Sequence, residues 1–361
     1  MNVYPLLRPL IEHVDAEVAH GLAIKALSTG LVEACASRSR SVDDPVLATR
    51  VWGLDFPNPV GMAAGFDKHA EVCDAMLALG FGFTEAGTVT PLAQPGQAKP
   101  RLFRLTEDGA VINRFGFNSQ GIEAFAQRLE RRSRQGIVGA NVGKNKSSED
   151  ATADYVACIE RVARLCDYLV VNISSPNTPG LRALQARSQI TELLERSMEA
   201  RARACGNDIR LPPMIVKIAP DLDDQALDDI AQAAVATGID GLTVCNTTIA
   251  RPPMTSRHRN EPGGLSGRPI AAQALACLHR MYQLTGGRMP LIGSGGIDSG
   301  AEAYARIRAG ASLIQFYSAM VFHGPGLVKT IKHDLAACLR ADGFKSVCEA
   351  VGAAHRPAGR A

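Results

Sequence analysis

The 361-residue chain is expected to fold as an α/β protein, a (β/α)8 TIM barrel with a small N-terminal α-helical extension. Two observations carry that expectation. From about residue 58 short apolar runs alternate with helical stretches eight times, and each run leads into polar residues that a barrel would gather at one mouth. A doubly wound sheet is the runner-up. It usually has fewer strands, however, and wants a G-x-G-x-x-G turn after the first, which is absent here.

The runs span 60–64, 82–87, 137–142, 168–171, 214–219, 241–245, 291–293 and 313–316. They read as near-continuous Val/Ile/Leu/Gly stretches, the pattern of parallel strands buried on both faces. Segments of 3.6-residue periodicity lie between or after them, at 121–134, 151–165, 224–237, 269–284, 300–309 and 325–339. Residues 46–345 therefore form the barrel. Residues 1–45 do not share the rhythm: Leu6, Leu7, Leu10 and Ile11 make one apolar face, and Val14, Val18, Leu22 and Leu27 continue in a second helix from about Asp15. That pair either packs on the barrel or forms an interfacial hairpin that touches lipid or a lipid-soluble ligand. Residues 346–361 read as a partly disordered tail.

Composition sets the class. Hydrophobic residues make up 46% and charged residues 21%, a globular balance, and the net charge of +3 gives no case for nucleic acid. Nine cysteines are scattered without a C-x-x-C pair, which disfavours zinc and iron–sulfur sites and suits buried thiols in a reducing compartment. No run reaches the ~18 apolar residues of a membrane span, and no signal peptide is read. The protein is expected to be soluble or to lie on a membrane surface.

The polar residues after the runs carry the chemistry. They are Lys68, Thr88, Asn141, Asn172 with Ser175, Lys217 within its strand, Asn246-Thr247-Thr248, Ser294-Gly295-Gly296, and Tyr317-Ser318. The stretch Asn172-Ile173-Ser174-Ser175-Pro176-Asn177-Thr178 ends a strand in amides and hydroxyls around a stiffening proline, suited to a flat polar molecule. Two glycine-rich loops, 291–297 and 263–267, expose backbone N–H groups where phosphate sites form. Lys217 sits among apolar neighbours with no acid expected on adjacent strand interiors, so it calls for an anion such as the edge of a reduced flavin. Lys68 reads either as a ligand cation or as a loop lysine paired with Asp67. Asn113, Phe115-Gly116-Phe117 and Asn118 set amides beside aromatics for a planar ligand. Ser175 is the candidate proton acceptor of its loop, or it merely orients the turn. No G-x-S-x-G elbow surrounds it, so a hydrolase is disfavoured, and a serine base needs a relay through water or Thr178.

The motifs NPVGMAAGFDKHAE from Asn58, EAGTVTP from Glu85, VINRFGFNS from Val111, VNISSPNTPGLR from Val171, VKIAPD from Val216, CNTT from Cys245, GGLSGRP from Gly263, LIGSGGIDSG from Leu291 and QFYSA from Gln315 occur in family order. With them the chain resembles the class 2, quinone-dependent dihydroorotate dehydrogenases over nearly its whole length. The resemblance implies oxidation of (S)-dihydroorotate to orotate in pyrimidine biosynthesis, with FMN as hydride acceptor and ubiquinone or menaquinone as final oxidant. It implies FMN at Ala64, Gly65, Thr88, Asn141, Asn172, Lys217, Cys245, Gly267, Gly296, Tyr317 and Ser318. It implies substrate at Lys68, Asn113, Arg114, Phe115, Gly116, Phe117, Asn172, Asn177, Asn246 and Thr247, with Ser175 as base. Residues 1–45 then become the quinone-access segment on a membrane surface, with His20 and Arg104 along the path. No metal, nucleic acid or partner subunit is implied, and the expected location is peripheral, on the cytoplasmic face of the cell inner membrane. The sequence departs from the family pattern at Gln97-Ala98, where Asn-Pro is expected and the loop should loosen, and at Cys245, where threonine is frequent. Two rivals remain, a tRNA dihydrouridine synthase, expected to use a cysteine acid and an added RNA-binding domain, and a non-redox phosphate-binding barrel.

Overall fold

The computed structural model describes residues 4–32, 34, 43–178, 180–207 and 210–356, apart from the side chains of residues 5–7. Eight strands close a parallel barrel: β3 (Val60–Met62), β4 (Phe83–Val89), β7 (Ile137–Val142), β8 (Tyr168–Asn172), β9 (Met214–Ile218), β10 (Gly241–Val244), β12 (Leu291–Ser294) and β13 (Ala311–Phe316). Each pairs with the next in chain order, and β13 returns to β3 through Ile314↔Val60. All eight coincide with the apolar runs, and the reason is burial: every residue of β4, β7, β8 and β9 is buried.

Helices wrap the barrel where side chains supply the missing caps. Asp150 accepts from the Ala153 amide at the start of α5 (Ala151–Val162), Asp223 from Ala226 in α7 (Asp224–Thr237), and Ser299 from Glu302 in α9 (Gly300–Arg308). The N-terminal end of the barrel is closed by a hairpin, β1 (Thr49–Val51) against β2 (Leu54–Phe56), which sends Val51 and Phe56 under Phe83 and Tyr168. Tyr168 fits in the lumen because residue 139 is glycine; a Cβ there would lie 2.2 Å from its ring. The lumen is thus a packed core with one aromatic hydroxyl inside it.

At the other end, β5 (Leu102–Leu105), β6 (Ala110–Asn113) and β11 (Gly264–Gly267) form an antiparallel sheet over the mouth, with Leu105, Ile112 and Leu265 as its core. Residues 263–267, read above as a loop, mostly form its third strand, because Gly264 to Gly267 pair with Asn113 to Ala110. Two helices precede the barrel, α1 (Tyr4–Glu12) and α2 (Ala16–Leu27), the second capped by Asp15. Tyr4 Oη donates to the Val321 carbonyl at 2.7 Å, and Arg104 holds the turn between the helices through the carbonyls of Ile11 (2.8 Å) and Val14. Leu10, Val18 and Leu22 nevertheless stay exposed.

Residues 346–356, assigned above to a loose tail, contain α12 (Val347–Ala350) with Val347 and Ala350 fully buried. Residues 357–361, residues 35–42 and Cys35 lie outside the described residues. The described cysteines are free and mostly buried, although Cys348 is exposed. No helix among the described residues is long and apolar enough to cross a membrane, and no cluster of His, Cys, Asp or Glu there could hold a metal.

Candidate active site

A cavity of about 800 Å³ opens where the barrel strands end and runs out between α1 and α2. That is near the upper end of the ~300–1,000 Å³ typical of small-molecule sites, with room for more than one ligand. After β3, residues 63–65 line it, and Gly65 (φ +101°) turns the chain so that its Cα faces the Tyr317 ring. Lys68 follows: its Nζ donates to the Gly65 carbonyl at 2.7 Å and stands 4.2 Å from the Phe115 ring centroid. Asp67 is not its ion-pair partner. That carboxylate is buried and accepts from the Glu71 and Val72 amides, both at 2.8 Å, which fixes the turn carrying Lys68.

Thr88, Asn172 and Lys217 line the cavity from β4, β8 and β9, and Cys245, Asn246 and Thr247 follow β10. Ser175 lines it too, buried, its Oγ accepting from the Asn177 amide at 3.2 Å. Asn177 Nδ2 donates to the Asn113 carbonyl at 3.1 Å, tying the Ser175 loop to β6, where Phe115, Gly116 and Phe117 continue the wall. Gly267, Gly296, Tyr317 and Ser318 close the far side, and Ser318 shares a 2.7 Å hydroxyl contact with Ser266. His20 and Arg104 line the branch toward the helices. His20 packs edge-on to Phe66 at 5.3 Å and meets Tyr317 Oη at 3.4 Å.

Two expected residues are not on the wall. Arg114 points away, bonded to Glu261 at 2.9 Å and stacked 4.6 Å from the Phe103 ring. Asn141 lies one layer beneath Thr88, which donates to its Oδ1 at 2.5 Å. The Gln97 loop is not loosened: its amide donates to the Phe115 carbonyl at 2.9 Å and its side chain to the Asn177 carbonyl at 3.2 Å.

Burial sets the electrostatics. It lowers Lys68 to about 8 and His20 to about 3, so the lysine is a cation and the histidine neutral at neutral pH. Lys217, 4% exposed, has no hydrogen-bond or ion-pair partner among the described residues; burial lowers its pKa, and the Glu85 charge opposes that. Burial pushes the Cys245 thiol and Tyr317 phenol up, so both stay protonated.

Glu85 is not among the residues expected from the sequence, because it stands on β4, not on a strand adjacent to Lys217 of β9. It lies on β4, fully buried, and receives hydrogen bonds from Asn141, Gln315 and Tyr168. A glutamate inside the run 82–87 and a glutamine inside 313–316 are the same signal that singled out Lys217. Arg182 was missed too. It bonds Asp221 at 2.8 Å and donates to the Ser174 and Thr247 carbonyls, both at 3.1 Å, joining the loops after β8 and β10.

The dihydroorotate dehydrogenase family model matches residues 46–339. The dihydroorotate dehydrogenase (quinone) of Xanthobacter autotrophicus is 59% identical over 98% of this chain and 99% of its own length. The mitochondrial dihydroorotate dehydrogenase (quinone) of Oryza sativa is 49% identical over 96% of this chain and 79% of its own. Among solved structures, DHODH from Eimeria tenella in complex with ferulenol superposes with a TM-score of 0.89 at 41% identity, covering 95% of this chain and 96% of that one. A closed eight-stranded barrel, an anion-seeking lysine in its mouth and full-length similarity agree: the chain belongs to the dihydroorotate dehydrogenase family, among its quinone-dependent members.

Proposed function

We propose that the protein oxidises (S)-dihydroorotate to orotate with FMN and passes the electrons to ubiquinone or menaquinone. The observation that carries this reading is one cavity lined by Lys68, Ser175 and Lys217 together with the branch between α1 and α2. Family membership implies a flavin, and the wall fits one: Lys217 Nζ is buried and has no partner among the described residues, lining a cavity of about 800 Å³. When bound, FMN would supply a two-electron acceptor for the hydride of substrate C6 and a donor to the quinone.

The chain's own residues supply the rest. Lys217 faces the charge that builds on the cofactor, and Gly267, Gly296 and Ser318 offer donors for its phosphate. Lys68 binds the substrate carboxylate, while Asn113, Asn177, Asn246 and Thr247 hold the ring edges. Ser175 Oγ takes the C5 proton as it releases its own. Thr178 Oγ1, on the same loop and buried without a hydrogen-bond partner, is the candidate to relay that proton, taking it as it gives its own on to water. His20 of α2 and Arg104 of β5 flank the quinone path, and α1 and α2 rest on the cytoplasmic face of the inner membrane.

Ser175→Ala tests the central role. Anaerobic bleaching of the flavin by dihydroorotate should slow by roughly 10²–10⁴-fold, the usual worth of a positioned base, with FMN still bound. An unchanged bleaching rate at neutral pH would remove Ser175 from the mechanism.

A further inference from the structure

We propose that Glu85 is a positioning residue for the whole cavity: its carboxylate sets the donor-to-acceptor direction of a side-chain relay running from the barrel lumen to the ligand wall. The proposal rests on the flavin and substrate reading above and assigns a role to a residue that touches neither ligand.

The relay is continuous. Asn141 Nδ2 donates to Glu85 Oε1 at 2.7 Å, and Thr88 Oγ1 donates to Asn141 Oδ1 at 2.5 Å. Asn172 Nδ2 donates to Thr88 Oγ1 at 2.8 Å, and Ser174 Oγ to Asn172 Oδ1 at 2.8 Å. Asn246 Nδ2 closes the sequence on Ser174 Oγ, again at 2.8 Å. Every donor points back toward Glu85. From the other side Gln315 Nε2 (2.7 Å) and Tyr168 Oη (3.4 Å) point at it too.

Direction is what the carboxylate contributes. Amides can turn over and hydroxyls can rotate, so Asn141 and Thr88 have no direction of their own. A carboxylate accepts and does not donate, so Asn141 must present its NH2 to Glu85 and its oxygen to Thr88 and, at 3.3 Å, to Asn172 Nδ2. Farther along, the Ser174 and Thr247 backbone amides donate to Asn172 Oδ1 (3.2 Å) and Asn246 Oδ1 (2.8 Å) and hold the same direction, so Glu85 fixes the end of the relay that lies in the lumen. Gln315 records the strength of that constraint. It is fully buried, its nitrogen is given to Glu85, and its Oε1 is left without a partner. A buried acceptor left unsatisfied is costly, and turning the amide over would aim that oxygen at the carboxylate. Glu85 also supplies the negative charge that favours the Lys217 ammonium against burial.

The relay orders the outcomes. Thr88 and Asn172 lie on the flavin side, whereas Asn246 lies at the substrate end, with Ser174 joining them while itself fully buried and off the cavity wall. In the full-length protein, Glu85→Gln should weaken FMN binding at least tenfold by flavin fluorescence titration, because the relay loses its fixed end. Ser174→Ala should leave FMN affinity within threefold and weaken orotate at least fivefold, read from the perturbation of flavin absorbance. Glu85→Gln with FMN affinity within threefold of the parent overturns the proposal, and so does Ser174→Ala with unchanged orotate affinity. Should Glu85→Gln fail to fold, the Ser174→Ala arm decides alone. A parent protein that binds no FMN would instead sink the functional reading on which this one stands.

Discussion

Lys68 is the residue whose surroundings most directly predict a pH response. Burial brings it to about 8, and its Nζ has only a carbonyl and an aromatic face as partners. As the cation proposed to meet the substrate carboxylate, it is charged below about 8 and loses its proton as pH rises through that value. The KM for dihydroorotate should therefore climb above pH 8, and Lys68→Met should raise KM by roughly 10–100-fold, the ~1.5–3 kcal/mol of a charged hydrogen bond, while flattening that pH dependence. A steep KM profile surviving in Lys68→Met would assign the titration elsewhere. Stability moves the opposite way: the unfolded lysine, near ~10.4, binds more protons than the folded one, so stability rises with pH between about 8 and that value while substrate binding weakens.

Besides Arg104, a second guanidinium ties the N-terminal helices to the loops of the ligand site. Arg101 makes a two-pronged contact with Glu17 of α2, at 3.1 and 2.8 Å, and also holds the carbonyls of Pro95 (2.6 Å) and Gln97 (2.8 Å). Burial opposes charge on Glu17, but Arg101 and Lys99 hold its carboxyl below the usual range. Its contribution is thus present at neutral pH and is lost only as pH falls through that lowered value. Glu17→Gln should weaken helix docking by about 1–3 kcal/mol, seen as faster limited proteolysis within residues 4–34; unaltered protection would mean other contacts hold α2. Deleting residues 1–45 should abolish turnover with quinone and the need for detergent in extraction, yet spare flavin reduction by dihydroorotate. Equal quinone turnover in the shortened protein would refute the access role.

For the molecule as a whole, a ligand seated at eight converging strand ends should stabilise the fold by mass action. FMN at a hundredfold excess over its dissociation constant contributes about 2.7 kcal/mol, so stripping the flavin should lower the melting temperature and adding it back should restore it. A melting curve indifferent to FMN would argue against the site. The barrel was legible because parallel strands buried on both faces have no choice but to be apolar, as in β7 and β8. Lys217 stood out for the same reason, as a charge where burial forbids one. The rest was hidden by weaker patterns. α6 (Arg187–Cys205) packs between α5 and α7, but its buried face includes Ser197 and Arg201, and its many charged residues blur the periodicity. The third antiparallel strand over the mouth, β11, read as a loop because it carries glycine at both ends. Glu85 escaped because its link to Lys217 crosses the lumen, a relation that one-dimensional spacing does not contain.

Leu10, Val18 and Leu22 leave 70%, 53% and 57% of their surfaces in water, on helices held mainly by Tyr4, Glu17 and Arg104. Moving those three side chains into a hydrocarbon phase would yield roughly 3–5 kcal/mol. So small a partition energy makes residence on a bilayer an equilibrium that shifts with the abundance of lipid. On the membrane-surface reading proposed above, wetting of these side chains would let the protein come and go from its oxidant pool.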